Sequence, residues 1–258
     1  MQIVGYESAV GGEDDRPRLL LAEGGVAESV WLEPGRELEY SLGHRHCAGA
    51  VAYDAAEIRH TACGADAAPY CETHTSRWAC ARCTGNCDLP LESCQEEHAV
   101  YLAAFAPETF KVGVTRSWRL ETRLREQGAD RAAHLRTVSD GRIARRIEAD
   151  IAESVGDRVR VPTKIAGLHL SVEGSAWETL LAEYDALATY DFEYGFDLAE
   201  RPMAETIAAG TVRGVQGRVL VLDRNGSTYA VDMRDLVGHE VTRGGTDRAL
   251  QSSFSAFE

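Results

Sequence analysis

The chain has 258 residues, 44% of them hydrophobic, and a formal net charge of −14. That length buries a sizeable core and allows one to three domains at roughly 100–150 residues each. A membrane protein and an exported one are not expected. The longest apolar runs, Leu19-Leu20-Leu21-Ala22 and Val219-Leu220-Val221-Leu222, fall far short of a spanning helix. Met1-Gln2-Ile3-Val4 opens without the basic and apolar regions of a signal peptide, so a cytoplasmic location is expected.

The charge has an uncommon origin. Among 27 basic residues only Lys111 and Lys164 are lysine, against 41 Asp plus Glu. The acids are dispersed, which argues against an acidic interaction arm. Scarce lysine with dispersed acids resembles halophilic, haloarchaeal-type proteins. In such a cytosol a negative total leaves a nucleic-acid partner open, because repulsion is screened within roughly 3 Å at about 1 M salt.

Residues 1–45 read as a β-rich N-terminal region. Gln2–Tyr6, Arg18–Ala22 and Glu37–Leu42 are candidate strands, with turns at Gly11–Asp15 and Glu23–Gly25. Residues 46–97 form a Cys-rich segment that holds all seven cysteines. In a cytosolic chain that density points to metal rather than disulfides. Cys80, Cys83, Cys87 and Cys94 can close around one tetrahedral Zn²⁺. Cys71 and His74 supply a second pair, completed by Cys63 and Cys47. A two-residue spacing lets one turn aim both side chains at one ion. Seven cysteines plus His74 make two closed sites, hence two structural zinc ions. Each binding free energy of about 10–16 kcal/mol would become folding energy. His44, His46 and His60 are rival ligands, and redox chemistry at Cys80 and Cys83 is a weaker reading.

Residues 98–200 read as an α+β domain. His98–Phe105 and Phe110–Arg116 form a hairpin, and Ser117 caps a helix that ends before Gly128. Ala133–Val138 is a further strand, and Asp140 caps a helix running to Val155, stopped by Gly156. In that helix Ile143, Ala144, Ile147, Ile151 and Val155 form an apolar stripe at about 100° per residue, with Glu148 at its border. Another helix is expected over Ser175–Tyr190, with Trp177, Leu180, Leu181, Tyr184 and Leu187 apolar. Residues 201–258 form a C-terminal β meander or small barrel, with Asn225-Gly226 as a type I′ turn and a frayed tail from Gly244. Whether the two terminal β regions make one body or two stays open.

Val100-Tyr101-Leu102, Lys111-Val112-Gly113 and Arg123-Leu124, in the order strand, strand, helix, strand, helix, resemble the GIY-YIG nuclease module. Roughly residues 45–155, with the Cys-rich segment, more closely resemble an uncharacterised prokaryotic family, a domain of unknown function placed near that superfamily. The resemblance implies an α+β fold with a small antiparallel sheet and flanking helices. Phosphodiester hydrolysis requires an activated water, a metal on the phosphate and a cation for the developing charge. By resemblance Tyr101 would accept the water's proton, Arg123 would hold the phosphate, Glu148 would ligate Mg²⁺, and Gly113 would allow close packing. The motif's second tyrosine is Lys111 here, which suggests a point charge for a phosphate or for lowering the Tyr101 pKa. The stretch from Gly113 to Arg123 is also two residues longer than in the usual motif.

Each residue also has a plainer reading: Tyr101 as a core aromatic, Arg123 on a solvated face, Glu148 paired with Arg145. The expected function is a zinc-stabilised protein acting on nucleic acid by Mg²⁺-dependent hydrolysis. The alternatives are a non-catalytic nucleic-acid or ribonucleoprotein binding module, with Arg123, Arg125, Arg131 and Arg136 on its surface, or a protein-interaction adaptor.

Overall fold

The computed structural model describes residues 1–8, 16–54, 57–75, 83–87 and 91–244. The chain forms two compact units. Unit 1 comprises Met1–Ser76, Tyr194–Phe196 and Pro202–Glu258, and unit 2 comprises Arg77–Glu193 and Asp197–Arg201. The boundary falls inside the Cys-rich segment, so its cysteines are divided between the units.

In chain order the strands are β1 (Gln2–Glu7), β2 (Arg18–Glu23), β3 (Val26–Trp31), β4 (Glu37–Arg45), β5 (Ala50–Tyr53), β6 (Ile58–Thr61), β7 (His98–Phe105) and β8 (Thr109–Arg116). They continue with β9 (Arg131–Val138), β10 (Ala188–Asp191), β11 (Met203–Ala204), β12 (Ala208–Gln216), β13 (Val219–Arg224), β14 (Ser227–Asp232) and β15 (His239–Arg243). The helices are α1 (Leu120–Gln127), α2 (Gly141–Val155), α3 (Val161–Gly167), α4 (Gly174–Leu181) and α5 (Met233–Leu236). Among the described residues, no helix is long and apolar enough to cross a membrane.

Unit 1 is built on a sheet in the order β11-β14-β13-β12-β4-β15-β1-β2-β3-β6-β5. The question left open by the sequence is settled here, because the two terminal β regions share this sheet. Strand β4 lies between β12 and β15, with Leu38 opposite Gly210 and Leu42 opposite Val241. On β13 the run Val219–Leu222 is wholly buried, which explains why it shows no alternation. Asn225 (φ 50°) and Gly226 (φ 74°) make the tight β13–β14 turn, as their type predicts. One core gathers Ile3, Leu19, Leu38, Leu220, Leu222 and Val231. Burying each such side chain contributes roughly 1.5–3 kcal/mol before entropy is charged against it. The expected turn at 11–15 and the expected tail from 245 lie outside the described residues.

Unit 2 contains the antiparallel sheet β10-β9-β7-β8. The β7–β8 hairpin runs from His98 opposite Arg116 to Phe105 opposite Thr109. Helix α2 begins as expected, with the Asp140 carboxylate accepting from the Arg142 N–H at 2.7 Å. It ends at Gly156, which takes φ 85°. Ala144, Ile147, Ile151 and Val155 pack with Val100, Leu102, Val112 and Leu135. Ile143 does not join them; it is 45% exposed, and the buried stripe is correspondingly narrower.

Two helix expectations need correction. Ser117 caps nothing: Ser117–Arg119 is a single 3₁₀ turn, the Ser117 Oγ is buried without a partner, and α1 starts at Leu120. Its C-terminal end is as read, since Gly128 adopts the left-handed conformation. The helix expected over Ser175–Tyr190 stops at Leu181. Leu187 is exposed and its N–H bonds the His134 carbonyl, starting β10 rather than extending a helix. Thr189 and Tyr190 suit that strand. Helix α3, with proline in its first turn, was not anticipated.

Candidate functional site

The first constellation lies in unit 1. Cys47, Cys63, Cys71 and His74 place three sulfurs and one ring nitrogen within 4.8 Å of one another. The Cys71–His74 turn is held by the His74 and Thr75 N–H groups on the Cys71 carbonyl, at 3.1 and 2.8 Å. His74 Nδ1 lies 3.3 Å from the Cys71 sulfur and 3.4 Å from that of Cys47. Cys63 and Cys71 sulfurs are 4.0 Å apart. Zinc with bonds of roughly 2.0–2.3 Å needs ligand-to-ligand edges of about this length. The Gly49 and Cys71 N–H groups both donate to the buried Cys47 sulfur, at 3.4 and 3.3 Å.

Close backbone approach makes that arrangement possible. Gly49 has φ 70°, and a Cβ there would lie 2.0 Å from the Thr61 carbonyl. The Cys71 thiol is held down at about 6, chiefly by the backbone N–H of His74 and against desolvation. The Cys63 thiol is pushed up: an Ala65 backbone bond lowers it, but desolvation and the Cys47 and Cys71 thiols outweigh that. This Cys₃His cluster can hold a metal such as zinc. The rival histidines sit elsewhere. His60 Nε2 bonds the Ala48 carbonyl at 2.8 Å, His46 Nδ1 bonds the Cys63 carbonyl at 3.0 Å, and His44 stacks edge-on against His46.

The second constellation lies in unit 2, and Cys80 lies outside the described residues. The Gly85 N–H donates to the Cys83 sulfur at 3.3 Å. Desolvation, then the neighbouring Cys83 and Cys94 thiols, push the Cys87 thiol up.

Beside these cysteines a cleft of about 620 Å³ brings together Tyr101, Lys111, Gly113, Arg123 and Glu148. Cys83, Cys94, His98, Arg116, Arg119, Arg142, Arg145, Asp157 and Arg158 also line it. Tyr101 on β7 faces Gly113 on β8, and a Cβ at 113 would sit 2.5 Å from the phenol ring and its oxygen. Gly113 therefore makes room for the Tyr101 ring rather than for a helix. Tyr101 is 1% exposed, and burial pushes its pKa up despite Arg123 and the Gln127 amide that donates to its oxygen. Burial thus works against the anionic form that the expected role of proton acceptor would use.

Glu148 is also committed, since Arg145 Nη1 lies 2.6 Å from its carboxylate and both side chains are largely buried. Arg123 pairs with Glu126 at 3.1 Å, and Glu121 with Arg125 at 3.2 Å. Arg116, Arg119, Arg142 and Arg158 likewise have carboxylate partners. Lys111 differs from all of these. Among the described residues it has no ion pair, and desolvation followed by the Arg123 charge holds its ammonium down at about 8.

Three supporting residues escaped the sequence reading. His98 Nδ1 donates to the Glu96 carbonyl at 2.7 Å, so a neutral ring carries its lone pair on Nε2. That nitrogen lies against Gly141, where a Cβ would come within 3.0 Å of it. Gln127 holds the Tyr101 oxygen, and the chain's other lysine, Lys164, donates to the Gln127 carbonyl at 2.6 Å. Only the position of His98 at the head of an apolar strand could have pointed to it.

These features define an α+β protein with a Cys₃His cluster in one unit and a cationic cleft in the other. A family profile described as "Protein of unknown function (DUF2797)" matches residues 35–241. The chain belongs to that family, whose match extends well beyond the 45–155 stretch and includes parts of both units. No significant match is found among curated proteins or among solved structures.

Proposed function

We propose that the protein binds the phosphate backbone of a nucleic acid in the unit 2 cleft. The observation that carries this reading is Lys111, a largely buried cation without a carboxylate partner in a cleft where each lining arginine has one. A desolvated ammonium is costly alone, and a phosphate oxygen beside it would restore its charge balance. The arginines around it can exchange their carboxylate partners for phosphate, with bidentate geometry. The net charge of −14 does not oppose this at high ionic strength.

Hydrolysis is a second reading, favoured by Tyr101, Arg123 and Glu148 lining one cleft. It resembles the GIY-YIG arrangement, with Mg²⁺ at Glu148. That metal would have to displace Arg145, and Tyr101 would have to act as proton acceptor from a buried position. Binding without cleavage is the simpler outcome.

The test is fluorescence anisotropy with labelled single-stranded and duplex DNA and RNA, in low and in multimolar KCl. Lys111→Ala should weaken binding about tenfold or more, and Lys111→Arg should restore only part of it. Unchanged affinity in Lys111→Ala would overturn the reading. Adding Mg²⁺ separates the two: cleavage lost in both Glu148→Ala and Tyr101→Phe supports hydrolysis, and cleavage surviving both rejects it.

A further inference from the structure

Unit 1 holds a second cavity, of about 600 Å³, that neither the metal cluster nor the proposed backbone binding uses. Its floor is apolar: Val4, Leu20 and Val237 belong to one small core, against which Val51, Tyr6 and Tyr70 pack. Three phenols line it, Tyr6, Tyr53 and Tyr70, together with Arg234 and His74. The volume falls in the range of pockets that enclose small ligands, roughly 300–1,000 Å³.

The polar groups of the cavity differ in how they are satisfied. Tyr53 donates to the Glu7 carboxylate at 2.5 Å, and Glu7 is itself paired with Arg18 at 2.7 Å. The Tyr6 and Tyr70 hydroxyls make no hydrogen bond among the described residues, although both side chains are half-buried. Both hydroxyls line the cavity and are therefore open to a ligand placed in it. The Arg234 guanidinium lines the same cavity and has no ion pair among the described residues. His74 turns Nδ1 to the Cys47 and Cys71 sulfurs. With a metal on Nδ1 the ring proton resides on Nε2, leaving an N–H donor on the far side.

Apolar floor, aromatic walls, one free cation and no free carboxylate together select a flat ring that carries an anion. A cationic ligand is disfavoured by Arg234, and a purely aliphatic anion leaves the phenols and the apolar floor without purpose. We propose that this cavity binds a single nucleotide, its base against the tyrosines and its phosphate on Arg234. Base–aromatic stacking contributes roughly 1–3 kcal/mol per base and tolerates any base, so the site would read the ring rather than its identity. It is a separate site from the cleft and rests on different residues.

The experiment is isothermal titration of the full, zinc-loaded chain with adenosine 5′-monophosphate, adenosine and ribose 5-phosphate. It uses a Lys111→Ala background so that the unit 2 cleft contributes little. One equivalent of the nucleotide should bind, with ribose 5-phosphate much weaker. Tyr70→Ala should lose about tenfold or more in affinity, while Tyr70→Phe, which keeps the ring and the fold, retains most of it. Arg234→Ala, at an exposed position, should weaken the nucleotide and leave adenosine unchanged. Equal binding of ribose 5-phosphate, or nucleotide affinity indifferent to both Tyr70→Ala and Arg234→Ala, would overturn the proposal.

Discussion

The two units treat their reactive side chains in opposite ways. In unit 1 the Cys47, Cys63, Cys71 and His74 ligand atoms converge on one point, and backbone N–H groups already satisfy the Cys47 sulfur. Four ligand atoms so gathered can close a tetrahedral site around one ion, the arrangement of a structural metal. In unit 2 the cleft is open, its arginines are paired, and one lysine remains unpaired and desolvated. A closed set can contribute to stability, whereas an open set with a surplus charge is what the proposed backbone binding would use.

The largest test of that contrast is metal removal. Chelation, or Cys71→Ala, should strip the unit 1 ion and unfold unit 1, because a structural zinc contributes about 10–16 kcal/mol. Metal analysis and circular dichroism would read this, with the helices of unit 2 retained. Loss of all helix signal on Cys71→Ala would break the division. Lys111 offers the next effect, with two readouts of opposite sign. Its folded value of about 8 lies below the ordinary 10.5, so between these pH values the unfolded chain holds a proton that the fold has released. Stability should therefore rise with pH across that window, by on the order of 3 kcal/mol. Anion affinity should fall over the same range, by up to about tenfold per pH unit, as the ammonium is lost. Urea titrations and anisotropy at pH 7 to 10 would show both trends, and Lys111→Arg should flatten both. The smallest is Gly113→Ala, whose added methyl meets the Tyr101 ring. It should cost about 1–3 kcal/mol in thermal stability and weaken anion binding while leaving zinc content unchanged.

What could be read from the chain beforehand was local. The C-x2-H spacing at Cys71 and His74, the Asp140 cap, the Gly128 and Gly156 stops and the Asn225-Gly226 turn each act within a few residues, and each appears in the structure. Tyr101, Lys111, Arg123 and Glu148 do come to one cleft, where Tyr101 is buried and Glu148 is paired with Arg145. The pairing of Leu38 with Gly210 carries no local signature, since nothing near either residue names its distant neighbour. Leu187 misled because an apolar residue at helical spacing can equally precede a strand. His98 and the cavity around Tyr70 were invisible because they depend on which faces meet.

The arrangement of β4 between β12 and β15 has a consequence for the order in which the protein is made. On the ribosome β1 to β4 emerge before β12 and β15, so β4 must wait for both of its neighbours until His239–Arg243 has been synthesised. The β7 to β10 sheet, all of whose strands lie between His98 and Asp191, is complete well before then. The strands translated earliest thus belong to the unit that finishes last, and Leu38 and Leu42 stay unshielded on one side during that interval.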